Sequence, residues 1–284
     1  MFLTKPAGLP GVRVMIERLK VYLRKLAGGG VALAYSGGVD STLLLAVLAS
    51  LKQEKPFAVT ALTMHTVLQN SQEITEAKSL AEKYGIEQKI FSFNPFSSEA
   101  VRHNRIDRCY HCKKAIFTQF AAYVQDIGLK YLLDGTNADD LNVYRPGRKA
   151  LSELGVVSPL AELGIGKAEI RKMSEKLGLP TAFKPAAPCL ATRFEYDTLL
   201  SDEAVCRVAA GETLIREMFP GIGNVRLRVH GTLARLELPR DKIALAANKA
   251  AEIAAGLQKL GFDYVTLDLE GFRSGSFDRR IKQD

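Results

Sequence analysis

Hydrophobic positions recur along the chain at two different spacings, which predict helices and strands in alternation. Apolar residues at steps of three and four predict helices over 11–27, after Asn70, over 110–126 and over 167–177. Short apolar runs predict strands between them at Val31 to Ala34, Phe57 to Thr63, Ile90 to Phe93 and Tyr131 to Leu133. Because strands alternate with helices, we expect an α/β fold with a doubly wound, mostly parallel sheet.

The last third of the chain has a different pattern. A helix over about 202–218 precedes two strands with alternating apolar residues, a long Ala-rich helix with Pro239 in its first turn, and a strand at Tyr264 to Leu269. Closely spaced prolines precede this region and indicate a domain boundary. We therefore predict a large domain over 1–196 and a smaller α+β domain over 197–284.

One predicted strand of the smaller domain has a basic face. Arg226, Arg228 and His230 alternate with apolar residues and therefore project to the same side. These side chains form an anion site if a ligand reaches them. The alternative is a solvated face, with Arg235 and Glu237 of the next strand also directed outward and arginine paired with glutamate across the strands.

Composition limits the class of protein. The chain has 284 residues, of which 47% are hydrophobic and 25% charged, as in ordinary globular proteins. Its net charge of +8 suits a phosphate-bearing substrate and would also suit RNA. No apolar run reaches the length of a membrane span and no signal-peptide pattern is visible, so we expect a cytoplasmic protein.

A glycine-rich loop, Ser36-Gly37-Gly38-Val39-Asp40-Ser41, joins the first strand to a predicted helix. Glycines let the backbone approach a ligand, and free N–H groups at a helix start bind phosphate. The Gly-Lys-Ser/Thr ending of a Walker A loop is absent. The order of residues resembles the PP-loop of ATP pyrophosphatases, which cleave ATP to AMP and pyrophosphate. The alternative is an ordinary glycine-rich turn.

A second polar segment, Asp134-Gly135-Thr136-Asn137-Ala138-Asp139-Asp140, follows the fourth strand. In a parallel sheet it should converge with the glycine-rich loop on one crevice. Its acidic pair, with Asp139 as the candidate, could hold the Mg²⁺ that accompanies ATP, unless it is a polar turn with capping residues. We also assign nucleotide binding to the loop residues and to a further set: Thr63, Gly135, Thr136 and Lys167.

Cysteines provide the remaining candidate chemistry. Cys109 and Cys112 form a C-x-x-C at the start of a predicted helix, Cys189 lies in a proline-rich stretch, and Cys206 is predicted to be a buried apolar residue. The C-x-x-C is compatible with a redox pair, a zinc half-site or an iron–sulfur half-site, and we expect the intervening His111 to point elsewhere. Three cysteines on a 4Fe–4S cluster would leave one iron open, for example to hold a sulfide.

Seven motifs, in the same order over roughly residues 13–240, together resemble the LarE family. They are Ser36-Gly37-Gly38-Val39-Asp40-Ser41, Asp107-Arg108-Cys109-Tyr110-His111-Cys112-Lys113, Asp134-Gly135-Thr136-Asn137-Ala138-Asp139-Asp140, Tyr144-Arg145-Pro146-Gly147, Ser158-Pro159-Leu160, Cys189-Leu190-Ala191-Thr192-Arg193 and Val225-Arg226-Leu227-Arg228-Val229-His230-Gly231. LarE proteins are ATP-dependent sulfur transferases that build the pincer cofactor of the nickel-dependent lactate racemase.

The resemblance implies a substrate and a reaction. The substrate is pyridinium-3,5-dicarboxylate mononucleotide, of which ATP adenylylates a carboxylate and a sulfur nucleophile then displaces AMP. One branch of the family takes the sulfur from its own cysteine, which matches Cys189. Another branch carries three cysteines on a 4Fe–4S cluster that binds sulfide, and these match Cys109, Cys112 and Cys189.

The resemblance also implies roles for individual residues. Arg226 and Arg228 match contacts to the substrate phosphate, and we group His230 with them. From the residues themselves, we expect Asp40 to act in pyrophosphate release and Arg193 to clamp the substrate or AMP. We expect Lys167 to support the pyrophosphate; the alternative is an exposed lysine at a helix start. The chain departs from the family at Phe194-Glu195-Tyr196-Asp197, where a Pro-Tyr-Gly turn is more common; this puts the shape of the loop after Cys189 in question.

Parts of the sequence are also compatible with other functions. A PP-loop tRNA thiolase would fit the basic charge, but no added RNA-binding module is visible. Amide-forming adenylation, as in NAD or GMP synthetases, does not explain the three cysteines. A non-catalytic nucleotide-binding protein with structural zinc is the alternative of another class. We expect ATP, Mg²⁺ and a 4Fe–4S cluster as cofactors, sulfide or another sulfur donor, a homo-oligomer, and neither membrane nor nucleic acid as a partner.

Overall fold

The computed structural model describes residues 11–142 and 146–273 together with residue 277. Contacts between Cα atoms divide the chain into two compact units. The first unit consists of the described residues up to His65, Ser71–Ser92 and Lys113–Lys184. The second unit consists of Thr66–Asn70, Phe93–Cys112 and the described residues from Pro185 onward. This division does not test whether an independently folding domain ends near residue 197, so that boundary stays a prediction.

The first unit is built on a parallel sheet. Its strands are β1 (Val31–Ala34), β2 (Val59–His65), β3 (Glu87–Ser92) and β4 (Tyr131–Leu133). They are hydrogen-bonded in the order β3-β2-β1-β4, and every neighbouring pair is parallel. The predicted α/β class and parallel sheet are therefore confirmed.

Helices precede, separate and follow these four strands along the chain. In chain order they are α1 (Val12–Ala27), α2 (Val39–Glu54), α3 (Ser71–Lys83), α4 (Glu99–Arg102), α5 (Arg108–Asp126), α6 (Gly147–Glu153), α7 (Pro159–Glu162) and α8 (Lys167–Lys176). α4 belongs to the second unit, and the division between the units falls within α5, after Cys112.

The central helix of the first unit is α2. It contacts β1, β2, α1 and α8, and eleven of its residues are buried. A helix that is surrounded in this way has no wide polar face, which explains the unbroken apolar run from Leu43 to Ala49 in its middle. Its first turn is therefore held firmly behind the glycine-rich loop.

The second unit contains a smaller mixed sheet. Its strands are β5 (Arg226–His230), β6 (Leu233–Glu237) and β7 (Tyr264–Leu267), with helices α9 (Asp202–Met218), α10 (Ile243–Ala247) and α11 (Ala250–Lys259). β5 pairs with β6 antiparallel, and β6 pairs with β7 parallel. The predicted α+β character of this region is confirmed.

One prediction for this unit is wrong. The long helix expected from Pro239 is instead a 3₁₀ turn at Arg240–Lys242 followed by α10 and α11, which are separated by Asn248 and Lys249. Asparagine is a weak helix former because its side chain competes for backbone groups. Within the described part of the chain, no helix is long and apolar enough to cross a membrane.

Candidate functional site

The glycine-rich loop of the first unit leaves the start of α2 open. Gly37 has φ +71°, and a Cβ at this position would lie 2.8 Å from the Cβ of Ala77, so glycine is required. Ser41 Oγ accepts a hydrogen bond from Ser36 N and donates one to Gly38 O, which folds the loop on itself. The N-cap residue of α2 is Gly38, which has no side chain with which to cap the helix. The first N–H groups of this helix can therefore bind an anion.

A lysine and two aspartates meet beside this loop. The ammonium group of Lys167, the first residue of α8, lies 2.5 Å from Asp40 Oδ2 in the first turn of α2. The backbone N–H of Lys167 donates to Asp139 Oδ2 at 2.7 Å. Asp139 thus caps α8, and its carboxylate is within reach of the same region that holds Asp40. Its role as a Mg²⁺ ligand stays a prediction.

The end of β4 approaches the loop closely. A Cβ on Gly135 would lie 3.2 Å from Ser41 N and 3.3 Å from the Cβ of Asp40, so the two strand ends converge as expected. The buried Asp134 carboxylate accepts hydrogen bonds from Thr136 and, at 2.6 Å, from Ser158. Sequence reasoning assigned no role to Asp134 or Ser158, although both lie in the quoted motifs.

Thr63 supports the sheet at this edge. Its hydroxyl donates to Tyr35 O at 2.6 Å and accepts from Gln88 Nε2 at 2.7 Å. The side chain therefore links β2 to β3 and to Tyr35, the residue that follows β1. Direct nucleotide binding by Thr63 stays a prediction.

All four cysteines lie in the second unit, and the three candidate ligands are on two short segments of it. Cys109 and Cys112 occupy the first turns of α5, and Cys189 directly precedes a 3₁₀ turn at Leu190–Arg193. Both Cys109 and Cys189 are solvent-exposed, and none of the cysteines forms a disulfide. His111 points to Asp107, with Nε2 3.1 Å from Oδ2.

The thiol of Cys189 is electrostatically coupled to its neighbours. Although the residue is exposed, the protein atoms around its thiol partly desolvate it and raise its pKa above the ordinary value of 9.0; Cys109 adds to the rise. The Ala191 amide and the charges of Arg108 and Arg193 act in the opposite direction. Cys109 is therefore close enough to Cys189 to affect the pKa of the Cys189 thiol. Nevertheless, across residues 11–142, 146–273 and 277, no three His, Cys, Asp or Glu side chains are grouped to hold a metal ion.

Cys206 is exposed on α9, so the prediction that it is buried is wrong. The buried positions of this helix include Val205, Val208, Glu212 and Ile215. Cys206 falls one position after Val205, which turns it away from that face.

Arg193 is buried and holds the segment that carries Cys189. Its Nε and one terminal nitrogen bind the two carboxylate oxygens of Glu212 at 2.7 and 3.1 Å. Its other terminal nitrogen donates to Pro188 O at 3.1 Å and to Thr192 Oγ1 at 2.9 Å. These contacts anchor the backbone on both sides of Cys189.

Glu212 is a further residue to which sequence reasoning assigned no role. It also accepts hydrogen bonds from Leu227 N at 3.1 Å and from Arg216 at 3.0 Å. Burial alone would raise the pKa of Glu212, but the hydrogen bond and charge of Arg193 outweigh burial and lower it. A glutamate in phase with apolar helix positions was the available signal.

The basic face of β5 is buried rather than solvated. Arg226 and Arg228 are each 5% exposed, and Glu237, which was expected to face outward, is 0% exposed. The reason is that the Cys189 segment covers this face: Arg226 donates to Ala186 O at 2.7 Å, and Arg228 donates to Thr192 O at 2.6 Å. His230 Nδ1 lies 3.2 Å from Glu195 Oε1.

The two arginines differ in their partners. Arg228 forms a buried ion pair with Glu237 at 3.0 Å. Among the described residues, Arg226 has no carboxylate at ion-pair distance and donates to backbone carbonyls. Burial, followed by the charge of Arg193, lowers the pKa of Arg226 to about 10. A bound anion would relieve this unfavourable environment.

Comparison with known proteins finds a matching domain family and several individual relatives of this chain. Residues 13–141 match the PP-loop domain family. An uncharacterized protein of Synechocystis is 39% identical over 266 residues, covering 93% of this chain and 97% of its own. The pyridinium-3,5-bisthiocarboxylic acid mononucleotide synthase of Lactiplantibacillus plantarum is 36% identical over 245 residues, covering 86% of this chain and 87% of its own. The chain belongs to the LarE family.

As a LarE-family protein, the chain is an ATP-dependent sulfurtransferase, which confirms the predicted class of enzyme. An uncharacterized protein of Methanocaldococcus jannaschii is 30% identical over 86% of this chain and 91% of its own. Of the quoted LarE motifs, Tyr144 and Arg145 lie outside the described residues.

The loop that departs from the usual LarE pattern keeps a turn. Asp197 has φ +62°, the left-handed conformation that a glycine at the end of a Pro-Tyr-Gly turn adopts easily. Asn104 also has positive φ, and its side chain donates to Phe194 O and Glu195 O at 3.2 and 2.7 Å. Arg108 lies 4.7 Å from the ring centre of Tyr196. The departure therefore changes the residues without removing the turn.

Proposed function

We propose that this enzyme adenylylates a carboxylate of pyridinium-3,5-dicarboxylate mononucleotide and converts it to a thiocarboxylate for the nickel-pincer cofactor. The observation that carries this proposal is the similarity to the Lactiplantibacillus plantarum synthase, which extends over 86% of the chain. A match over 245 residues is longer than the PP-loop domain at residues 13–141, so the similarity is not limited to that common domain.

The first step activates a poor electrophile. A carboxylate oxygen of the substrate attacks the α-phosphorus of ATP, and the bond to the β-phosphate oxygen breaks to release pyrophosphate. The free N–H groups at the start of α2 would stabilise the charge on pyrophosphate. Lys167 would add its positive charge when ATP competes with Asp40 for the ammonium group.

The second step replaces oxygen with sulfur. A sulfur nucleophile attacks the acyl carbon, and the bond to AMP breaks with its electron pair remaining on the phosphate oxygen. Arg226 would bind the phosphate of the mononucleotide, since its guanidinium is buried and pairs with no carboxylate in the described part of the chain. Arg193 would act through its hold on the Cys189 segment, because Glu212 and backbone groups already occupy its donors.

We further propose that Cys109, Cys112 and Cys189 hold a 4Fe–4S cluster. These residues are the right donors in kind: they are thiols of one compact unit that form no disulfide, and Cys109 contributes to the raised pKa of Cys189. The thiols are not gathered at metal-binding distances here, so binding a cluster requires them to move together. When bound, such a cluster would supply an open iron for sulfide. The alternative is that Cys189 gives up its own sulfur.

The decisive experiment combines the anaerobically purified protein with ATP, Mg²⁺, the dicarboxylate mononucleotide and sulfide. We expect AMP, pyrophosphate and a product whose mass reports the exchange of one oxygen for sulfur. AMP formation with tRNA but not with the mononucleotide would favour a tRNA thiolase. Thiocarboxylate formation without added sulfide, once per chain and with loss of H₂S from the protein, would identify Cys189 as the donor. ATP binding without pyrophosphate release would favour a non-catalytic protein.

A further inference from the structure

The segment after β7 is hydrogen-bonded to the end of β6 and to the residue that follows it. Asp268 N donates to Leu236 O at 2.9 Å, and Phe272 N donates to Leu238 O at 2.7 Å. Between them, Gly271 has φ +73°, and a Cβ there would lie 2.8 Å from Leu238 O, which is a backbone atom and cannot yield. Hydrogen bonds and a required glycine therefore fix the backbone position of Phe272.

Two aromatic rings that follow β7 in the chain pack against the basic face of β5. The guanidinium carbon of Arg226 lies 5.2 Å from the ring centre of Phe272. The guanidinium carbon of Arg228 lies 5.5 Å from the ring centre of Phe277, which is also 5.3 Å from the ring centre of His230. None of the quoted LarE motifs includes either phenylalanine.

A ring suits Arg226 for a chemical reason. Arg228 is neutralised by Glu237, whereas the described contacts of Arg226 are with backbone carbonyls. An aromatic face stabilises a cation without accepting its N–H hydrogen bonds. The edge of the guanidinium can then still bind a phosphate, to which arginine binds with two parallel hydrogen bonds.

We infer that Phe272 is a positioning residue for the phosphate group of the substrate. By stacking on Arg226, it holds the plane of the guanidinium and shields it from water, so that the edge is presented to a phosphate oxygen. This inference rests on the proposed function, in which Arg226 binds the phosphate of the mononucleotide.

The test compares Phe272→Leu, which keeps apolar bulk but removes the aromatic face, with Phe272→Tyr, which restores that face. Phe183→Leu is a control in the first unit, since Phe183 is 72% exposed. AMP formation is measured while the mononucleotide and ATP are varied separately. We expect Phe272→Leu to raise the KM for the mononucleotide about 3- to 30-fold, as the loss of a cation–π contact predicts. The kcat and the KM for ATP should stay unchanged, and Phe272→Tyr should restore the wild-type KM.

Other outcomes would overturn the inference in distinguishable ways. An unchanged KM for the mononucleotide in Phe272→Leu, with a raised KM in Arg226→Lys, would show that Phe272 does not position the phosphate. The proposed function would remain intact. A lower KM would show that the ring obstructs the site, and equal losses with both substrates would show a general structural role. If the wild type does not use the mononucleotide and Arg226→Lys does not weaken binding of inorganic phosphate, both the proposed function and the inference fail.

Discussion

Arg193 and Glu212 form a bidentate ion pair, with contacts of 2.7 and 3.1 Å, in which both side chains are 3% exposed. The pair joins the turn after Cys189 to the middle of α9. A buried pair of this kind is costly to break, because removal of one partner leaves the other charge desolvated. Thus the candidate sulfur-bearing segment and the core of the second unit depend on the same contact.

Glu212→Gln should lower the free energy of unfolding by about 3 kcal/mol, because it leaves the Arg193 charge buried without its counter-ion. Urea unfolding at neutral pH measures this change. Glu203→Gln on the same helix is the matched control: Glu203 lies 3.4 Å from Arg207, but its side chain is 86% exposed. That variant should change stability by less than about 0.5 kcal/mol. Equal effects of the two substitutions would contradict the importance assigned to the buried pair.

The same pair should make stability depend on pH at the acidic end. Because the folded protein lowers the pKa of Glu212 from its ordinary value of 4.5, the stabilisation is present above that value and is lost as the pH falls through the folded pKa. Unfolding measured from pH 7 downward should show a shallower loss of stability in Glu212→Gln than in the wild type. Parallel curves would mean that other carboxylates dominate acid unfolding.

Lys167→Ala should reduce pyrophosphate release about 100-fold or more, since it removes a positive charge beside the phosphate-binding loop. Asp40→Ala should likewise abolish release. Lys184→Ala is the control, because Lys184 pairs with Glu76 at 2.8 Å in the same unit but lies outside the loop. Release at the wild-type rate in Lys167→Ala would restrict that lysine to a structural pairing with Asp40.

Arg226→Ala should raise the KM for the mononucleotide at least about tenfold while leaving the KM for ATP unchanged, because a charge-assisted phosphate contact is lost. Arg228→Ala should in addition destabilise the protein by about 2 kcal/mol or more, since Glu237 is fully buried. Arg235, 3.3 Å from Glu237, limits that loss. Kinetics combined with thermal unfolding separates the two cases. An unchanged KM in Arg226→Ala would assign the phosphate to other residues.

Iron and sulfide analysis of anaerobically purified protein should give about four irons per chain, as a single 4Fe–4S cluster requires. Cys109→Ala, Cys112→Ala and Cys189→Ala should each lose them. Cys206→Ala should retain them, because Cys206 is exposed on α9 and outside the proposed ligand set. Iron lost only on replacement of Cys206 would show that the ligand set is wrong, and zinc in place of iron would favour a structural metal.

Asp197→Gly and Asn104→Gly should act in opposite directions, although both residues have positive φ. Glycine removes the cost of the left-handed conformation at Asp197, so stability should stay equal or rise by up to about 1 kcal/mol. At Asn104, which is fully buried, glycine also removes hydrogen bonds to Phe194 O and Glu195 O. We expect a loss of about 1–3 kcal/mol there, measured by urea unfolding.

The amino-acid sequence by itself determined the local elements and the identity of the nucleotide loop. The strand predicted at Tyr131 to Leu133 has the observed bounds, because a short apolar run between polar turns has few other ways to be buried. The loop from Ser36 to Ser41 was recognisable because adjacent residues carry its function. The shared face of Arg226 and Arg228 was also recognisable from the sequence, because residues two positions apart on a strand point to the same side.

Only the tertiary structure decided which polar groups are buried and what they contact. Glu212, Glu237 and Phe272 acquire their partners from segments distant in sequence, and periodicity records the face of an element but not what covers it. Arg193 illustrates the difference: its motif suggested a substrate clamp, whereas its burial against Glu212 makes it an anchor for Cys189. Burial arises from packing between segments, so the sequence pattern of either segment alone does not contain it.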